Sequence, residues 1–112
     1  MSESVLDIHP DVLAVDIQEI ANYLAQDNEM AADRVLAEID ATYDVIARNP
    51  GAGTEYSPLR RVLKGIRMIT VTAYPNYLIY YFPLPENTGV RILYVLHAAR
   101  GAGTFAKEHR RQ

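Results

Sequence analysis

The sequence predicts an α+β domain in the order β-αα-βββ, with a helical hairpin packed on one face of a small antiparallel sheet. Three observations predict it. Residues 10–48 carry two apolar stripes at helical spacing, interrupted only at Asp27-Asn28. Residues 66–96 switch to runs of β-branched and aromatic residues broken by turn-forming positions. The 112-residue chain holds one modest core and no more, so 1–112 reads as a single domain.

Val5, Leu6 and Ile8 make Ser4–Ile8 a short strand. Pro10 then suits the first turn of a helix, where its missing N–H costs nothing. Leu13, Ile17, Ile20 and Leu24 follow at spacings of four, three and four, one face of that helix. Asn28 is placed to cap a second helix, with Glu29 in its first turn. There the stripe is Val35, Leu36, Ile39, Tyr43 and Ile46, and Asn49-Pro50-Gly51 ends it. The short connection implies an antiparallel hairpin.

Gly51–Pro58 reads as a loop and Leu59–Lys64 as a basic bridge of undecided type. Strands are predicted from Ile66, with Pro75-Asn76 as the central pair of a tight turn before Tyr77. Residues 84–89 form a longer hairpin loop, and "VRILYVL" is the last strand. The segment 101–112 reads as a flexible C-terminal tail.

Apolar content of 49% and charged content of 22% exclude disordered and fibrous classes. The acidic start "MSESVLDIHPD" has no secretory pattern, and no run approaches a membrane span. There are no cysteines, which removes disulfides, thiolate metal sites and cysteine nucleophiles. A cytoplasmic protein without membrane association is expected. The net charge of −3 is unevenly divided: residues 1–50 carry eleven acids against two bases, residues 51–112 three acids against nine bases. A basic half of this kind serves either as solvated surface or as a docking face for an acidic partner.

The sheet has too much apolar surface for one helical layer. In the strand from Tyr77, residues 77, 79 and 81 point one way and Leu78, Tyr80 and Phe82 the other. The last strand repeats this, with Ile92, Tyr94 and Leu96 opposing Leu93 and Val95. A sheet covered on one side alternates apolar with polar, and this one does not. Either another chain covers the second face, or the tail folds back with Phe105; one aromatic covers little, which favours a partner.

Catalytic chemistry is sparse. His9, His97 and His109 have no metal-ligand spacing, and Ser2, Ser4 and Ser57 lie in no nucleophile context. "GAGT" occurs twice, without a phosphate-loop setting either time. No cofactor is expected. Arg60, Arg61, Lys64, Arg67, Arg91 and Arg100 remain, singly ordinary surface charges and together an anion-binding face. His97, at the end of the last strand, reads first as a structural histidine, although its intrinsic pKa suits acid–base work.

Three stretches carry a resemblance. "DVLAVDIQEIANYLA", "ARNPGAGTEY" and above all "YPNYLIYYFPLPENTGVRILYVLHAARG", with its Leu-His-x-Ala-Arg ending, resemble toxins of the RelE/ParE superfamily. These are the toxic halves of type II toxin–antitoxin pairs. The resemblance implies the β-αα-βββ fold and a cognate antitoxin, ParD-like or similar, that folds onto the toxin. Operator DNA would be met only indirectly, through that antitoxin. The expected antitoxin-binding residues are Arg60, Arg61, Arg67, Leu78, Tyr80, Phe82 and Arg91.

The superfamily divides by mechanism. RelE-like members cleave mRNA on the ribosome with basic and tyrosyl side chains. Those positions fall here on Ile69, Val71, Leu78, Ala99 and Phe105, with Arg100 one place from Ala99. The chemistry is missing from all five, so no catalytic residue is assigned. ParE-like members bind and inhibit DNA gyrase, and the resemblance is to that branch, with His97, Arg100 and Phe105 as expected target contacts. A ribosome-dependent endonuclease, or a non-toxic member that only binds its antitoxin, is the alternative.

Overall fold

A computed structural model describes residues 4–56 and 65–100. Strand β1 (Val5–Ile8) leads into a π-helical segment (Val12–Ile17) that continues as helix α1 (Gln18–Ala25). Helix α2 (Glu29–Arg48) follows, then β2 (Thr54–Glu55), β3 (Arg67–Val71), β4 (Tyr74–Pro83) and β5 (Gly89–His97). The two helices pack on one sheet of five strands, in the order β1-β5-β4-β3-β2. The α+β class and the helical hairpin are as the sequence predicts. Among the described residues no helix is long and apolar enough to cross a membrane.

The helix ends follow their local chemistry. His9 Nδ1 accepts from the Asp11 N–H at 3.0 Å, so this histidine caps the first turn. Asn28 caps α2 as expected, its side chain accepting from the Met30 N–H at 2.9 Å. Val35, Ile39, Tyr43 and Ile46 of α2 are all buried in the core facing the sheet.

The first helical stripe differs from expectation. Val12, Asp16 and Ile20 are buried, whereas Leu13 is 57% exposed. The cause is the π-helical winding of Val12–Ile17, whose i→i+5 bonding rotates the face relative to an α-helix and aligns residues four apart. Ile17 and Leu24 still pack at the margin.

The sheet departs from expectation in three ways. It is mixed rather than wholly antiparallel, because β1 pairs parallel with β5. Parallel neighbours need a long crossover, and the entire chain between these two strands supplies it. Gly89 permits the approach: a Cβ there would collide with the Val5 carbonyl. The second difference is the β3–β4 turn. Val71 pairs with Tyr74, so Thr72 and Ala73 are central, and Pro75 and Asn76 lie within β4 at a register shift. A proline without an N–H is tolerated at such an irregularity in the ladder.

The third difference is a bulge. Tyr80 pairs with Tyr94 but Tyr81 with Ile92, leaving Leu93 as the extra residue. Beyond it the alternation of β5 is reset. Ile92 and Val95 join the helix-side core, while Leu93, Tyr94 and Leu96 all belong to the opposite cluster. The β4 division stands: Tyr77, Ile79 and Tyr81 face the helices, and Leu78, Tyr80 and Phe82 lie on the other side.

That other side is not the open apolar face the sequence suggests. Tyr80, Leu93 and Tyr94 are at most 2% exposed and Leu96 is 7% exposed within the single chain. They form a second small core with Ile66, fringed by half-buried Tyr56, Met68, Leu78 and Phe82. Tyr56 meets Tyr80 edge-on at 5.1 Å, and its N–H donates to the Ile66 carbonyl at 3.0 Å. The segment expected to be plain loop thus contains β2 and brings an aromatic across the sheet.

Candidate functional site

Of the basic residues expected to form one anion-binding face, Arg67 and Arg91 are placed by the fold on opposite sides of the sheet. Arg67 pairs in register with Tyr81 and so lies on the helix side of the sheet. Its Nε and Nη2 donate to the Gly53 carbonyl at 3.0 and 2.6 Å, and Nη2 reaches the Gly51 carbonyl at 3.3 Å. Arg91 pairs with Phe82 and lies on the opposite side, where Nη1 meets Asp7 Oδ2 of β1 at 2.5 Å. Both guanidiniums therefore tie the fold's own segments together. Arg60, Arg61 and Phe105 lie outside the described residues.

Leu78 and Phe82 are half-buried at the fringe of the second core, and Tyr80, between them on the same face of β4, is buried. Burial first, then Tyr56 beside it, pushes the Tyr80 phenol well above its ordinary range. The positions at which ribonuclease side chains were expected do not share a surface. Ile69 and Val71 pack into the helix-side core, Leu78 sits on the other face, and Ala99 is exposed beyond β5. Among the described residues no group of His, Cys, Asp or Glu is placed to hold a metal ion.

The remaining expected site residues lie where β5 ends. His97 is its last residue, and Ala98–Arg100 form a 3-10 turn. His97 Nδ1 accepts from the Ala99 N–H at 3.1 Å, which assigns the proton of the neutral ring to Nε2. The imidazole stands edge-on to Tyr77, its cross-strand partner, at 5.3 Å and 89°.

Here the fold brings in residues that the sequence did not single out. A pocket of about 290 Å³ opens between the first helix and the end of β5, lined by Asp16, Glu19, Tyr23 and Tyr77 together with His97. Asp16 is 3% exposed, and its Oδ2 accepts from the Val95 N–H at 3.0 Å. The carboxylate thus satisfies a β5 backbone donor beyond the end of the β1 pairing at Ile92. Tyr23 stands 67% exposed at the side of the pocket. Burial, then the nearby Tyr23 phenol, raises the Tyr77 pKa above its ordinary value. One signal was available: a charged residue in line with Val12 and Ile20 at spacings of four.

The comparison with known families agrees with this architecture. The family described as "ParE toxin of type II toxin-antitoxin system, parDE" matches residues 7–101, from β1 to just past the 3-10 turn after β5. No curated protein matches the chain closely enough to count as a relative. With its helical hairpin, the Leu-His-Ala-Ala-Arg stretch that runs from the end of β5 into the turn, and a match spanning most of its length, the chain belongs to the ParE toxin family of type II toxin–antitoxin systems.

Proposed function

We propose that this chain acts in the cytoplasm by binding and inhibiting DNA gyrase, and that a cognate antitoxin neutralises it by folding onto the sheet. The observation that carries the reading is the family match, which includes the whole of β5 and the turn after it. The ribonuclease alternative is disfavoured by chemistry: Ile69, Val71, Leu78 and Ala99 have no group able to move a proton or stabilise a phosphorane. Target contacts are assigned to His97, Arg100 and Phe105, at and beyond the end of β5.

For the antitoxin, half-buried Leu78 and Phe82 are the apolar contacts, with buried Tyr80 between them on the same face. Pairing with acidic side chains of the antitoxin is assigned to Arg60, Arg61 and Arg91. Arg67 contributes indirectly, by holding the Gly51–Gly53 backbone.

The deciding experiment is a supercoiling assay with purified gyrase, run beside primer extension on translated mRNA after induction. Inhibited supercoiling with accumulation of a cleaved DNA complex, and intact mRNA, is expected. Ribosome-dependent cuts within codons would move the chain to the endonuclease branch. Unchanged supercoiling at toxin excess, with intact mRNA, would leave a member that only binds its antitoxin.

A further inference from the structure

The chain leaves β5 through a histidine contact. The last ladder pair joins Tyr77 to His97, and the backbone then enters the 3-10 turn Ala98–Arg100. His97 Nδ1 accepts from the Ala99 N–H, two residues on, at 3.1 Å, and so satisfies a donor that the ladder no longer reaches. The Tyr77 ring flanks the imidazole edge-on at 5.3 Å. The same contact recurs at the end of β1, the parallel neighbour of β5: His9 Nδ1 accepts from the Asp11 N–H at 3.0 Å just before the first helical segment. After Arg100 the sequence runs Gly101-Ala102-Gly103, and glycine imposes little direction on a chain. The heading of the chain is therefore set at the turn, before those glycines.

We infer that His97 is a positioning residue: by capping the turn through Nδ1 it sets the direction in which Arg100 and the chain beyond it leave the sheet. This deepens the assignment of His97, Arg100 and Phe105 to target contact, and rests on that assignment only for its activity arm. Capping needs an acceptor at Nδ1, which the neutral ring with its proton on Nε2 provides. It also needs a ring held in place, and the edge-on contact with Tyr77 does that. A turn fixed in advance lowers the ordering cost of binding, whereas an uncapped turn must be ordered at the moment of contact. A ring alone is not enough, because Phe would keep the edge contact with Tyr77 and lose the acceptor. Asn, without a ring, offers an amide oxygen that reaches the N–H two residues on.

The test compares His97→Phe and His97→Asn in the full chain by two readouts: exchange of the Ala99 amide followed by NMR, and inhibition of purified gyrase in the supercoiling assay. In His97→Phe the Ala99 amide should exchange about fivefold faster than in the wild type, and in His97→Asn within about twofold of it. The toxin concentration for half-inhibition should rise about tenfold in His97→Phe and less than about threefold in His97→Asn. Across both variants inhibition should track Ala99 protection. Unchanged exchange in His97→Phe, or faster exchange there with inhibition intact, overturns the inference. So does a His97→Asn chain that protects Ala99 yet inhibits no better than His97→Phe, since the imidazole itself would then touch the target. If the wild-type chain leaves supercoiling unchanged, the gyrase reading fails on its own, and exchange at Ala99 still decides whether His97 holds the turn.

Discussion

Tyr81 and Tyr77 lie on the helix-facing side of the same strand, four residues apart, in opposite settings. At Tyr81 the molecule is closed. The ring is fully buried, its hydroxyl donates to the Pro50 carbonyl at 2.8 Å, and it accepts from the Gly53 N–H at 2.8 Å. Arg67 adds bonds to the same loop, and a Cβ at Gly53 would come within 2.7 Å of that hydroxyl and of the Met68 carbonyl. At Tyr77 the molecule is open: the ring borders a pocket with carboxylates, a second tyrosine and a histidine. One end is filled by its own backbone, and the other keeps a concavity lined by charged and aromatic side chains. Side-chain type alone does not distinguish a structural staple from a recognition surface; what the hydroxyl and its neighbours bond to does.

Removing the closed end's hydroxyl has the largest expected effect. Tyr81→Phe strands a buried carbonyl and a buried N–H and should cost about 3 kcal/mol in urea unfolding. A loss below about 0.5 kcal/mol would mean that the staple is not what holds the Asn-Pro-Gly loop.

Asp16 comes next, because it joins the open end to β5. Asp16→Ala leaves the Val95 N–H unsatisfied and should cost about 2 kcal/mol, whereas Asp16→Asn retains an acceptor and should cost less. Equal losses for the two variants would show that the charge, rather than the hydrogen bond, fixes the pocket floor.

The smallest effect sharpens the comparison with a third tyrosine in the same core. The Tyr43 hydroxyl is buried without a hydrogen-bond partner among the described residues. Burial first, then Asp40 and Asp16, holds its pKa far above the ordinary 10.0. Tyr43→Phe should therefore be neutral or stabilise the fold by up to about 1 kcal/mol, measured by the same unfolding series. A loss comparable to that of Tyr81→Phe would mean that this hydroxyl also has a structural partner.

Much of this was legible in the sequence wherever the controlling physics is local. Asn28 as a cap, the α2 stripe and the division of β4 into two faces depend on residues within one or two turns of each other. The Leu-His-Ala-Ala-Arg stretch, equally local, carried the resemblance that the family match over residues 7–101 bears out. The misplaced turn at Pro75-Asn76 shows the limit of local reading, because a favourable turn pair was overridden by a longer ladder between β3 and β4. The open second face was misread for a related reason: simple alternation could not foresee the Leu93 bulge, or Tyr56 and Ile66 arriving from a segment that reads as loop.

The sequence by itself determined the class of each main element, the helical hairpin and the apolar character of both sheet faces, since periodicity and capping act along the chain. Only the tertiary structure decided what those faces meet. The parallel docking of β1 on β5 and the bulge arise between separate strands, and the π-helical winding turns Asp16 inward within its own segment. Together they carry a buried aspartate to the end of the last strand, beside His97. A pocket exists only where distant segments fail to fill the space between them, and no local pattern records that.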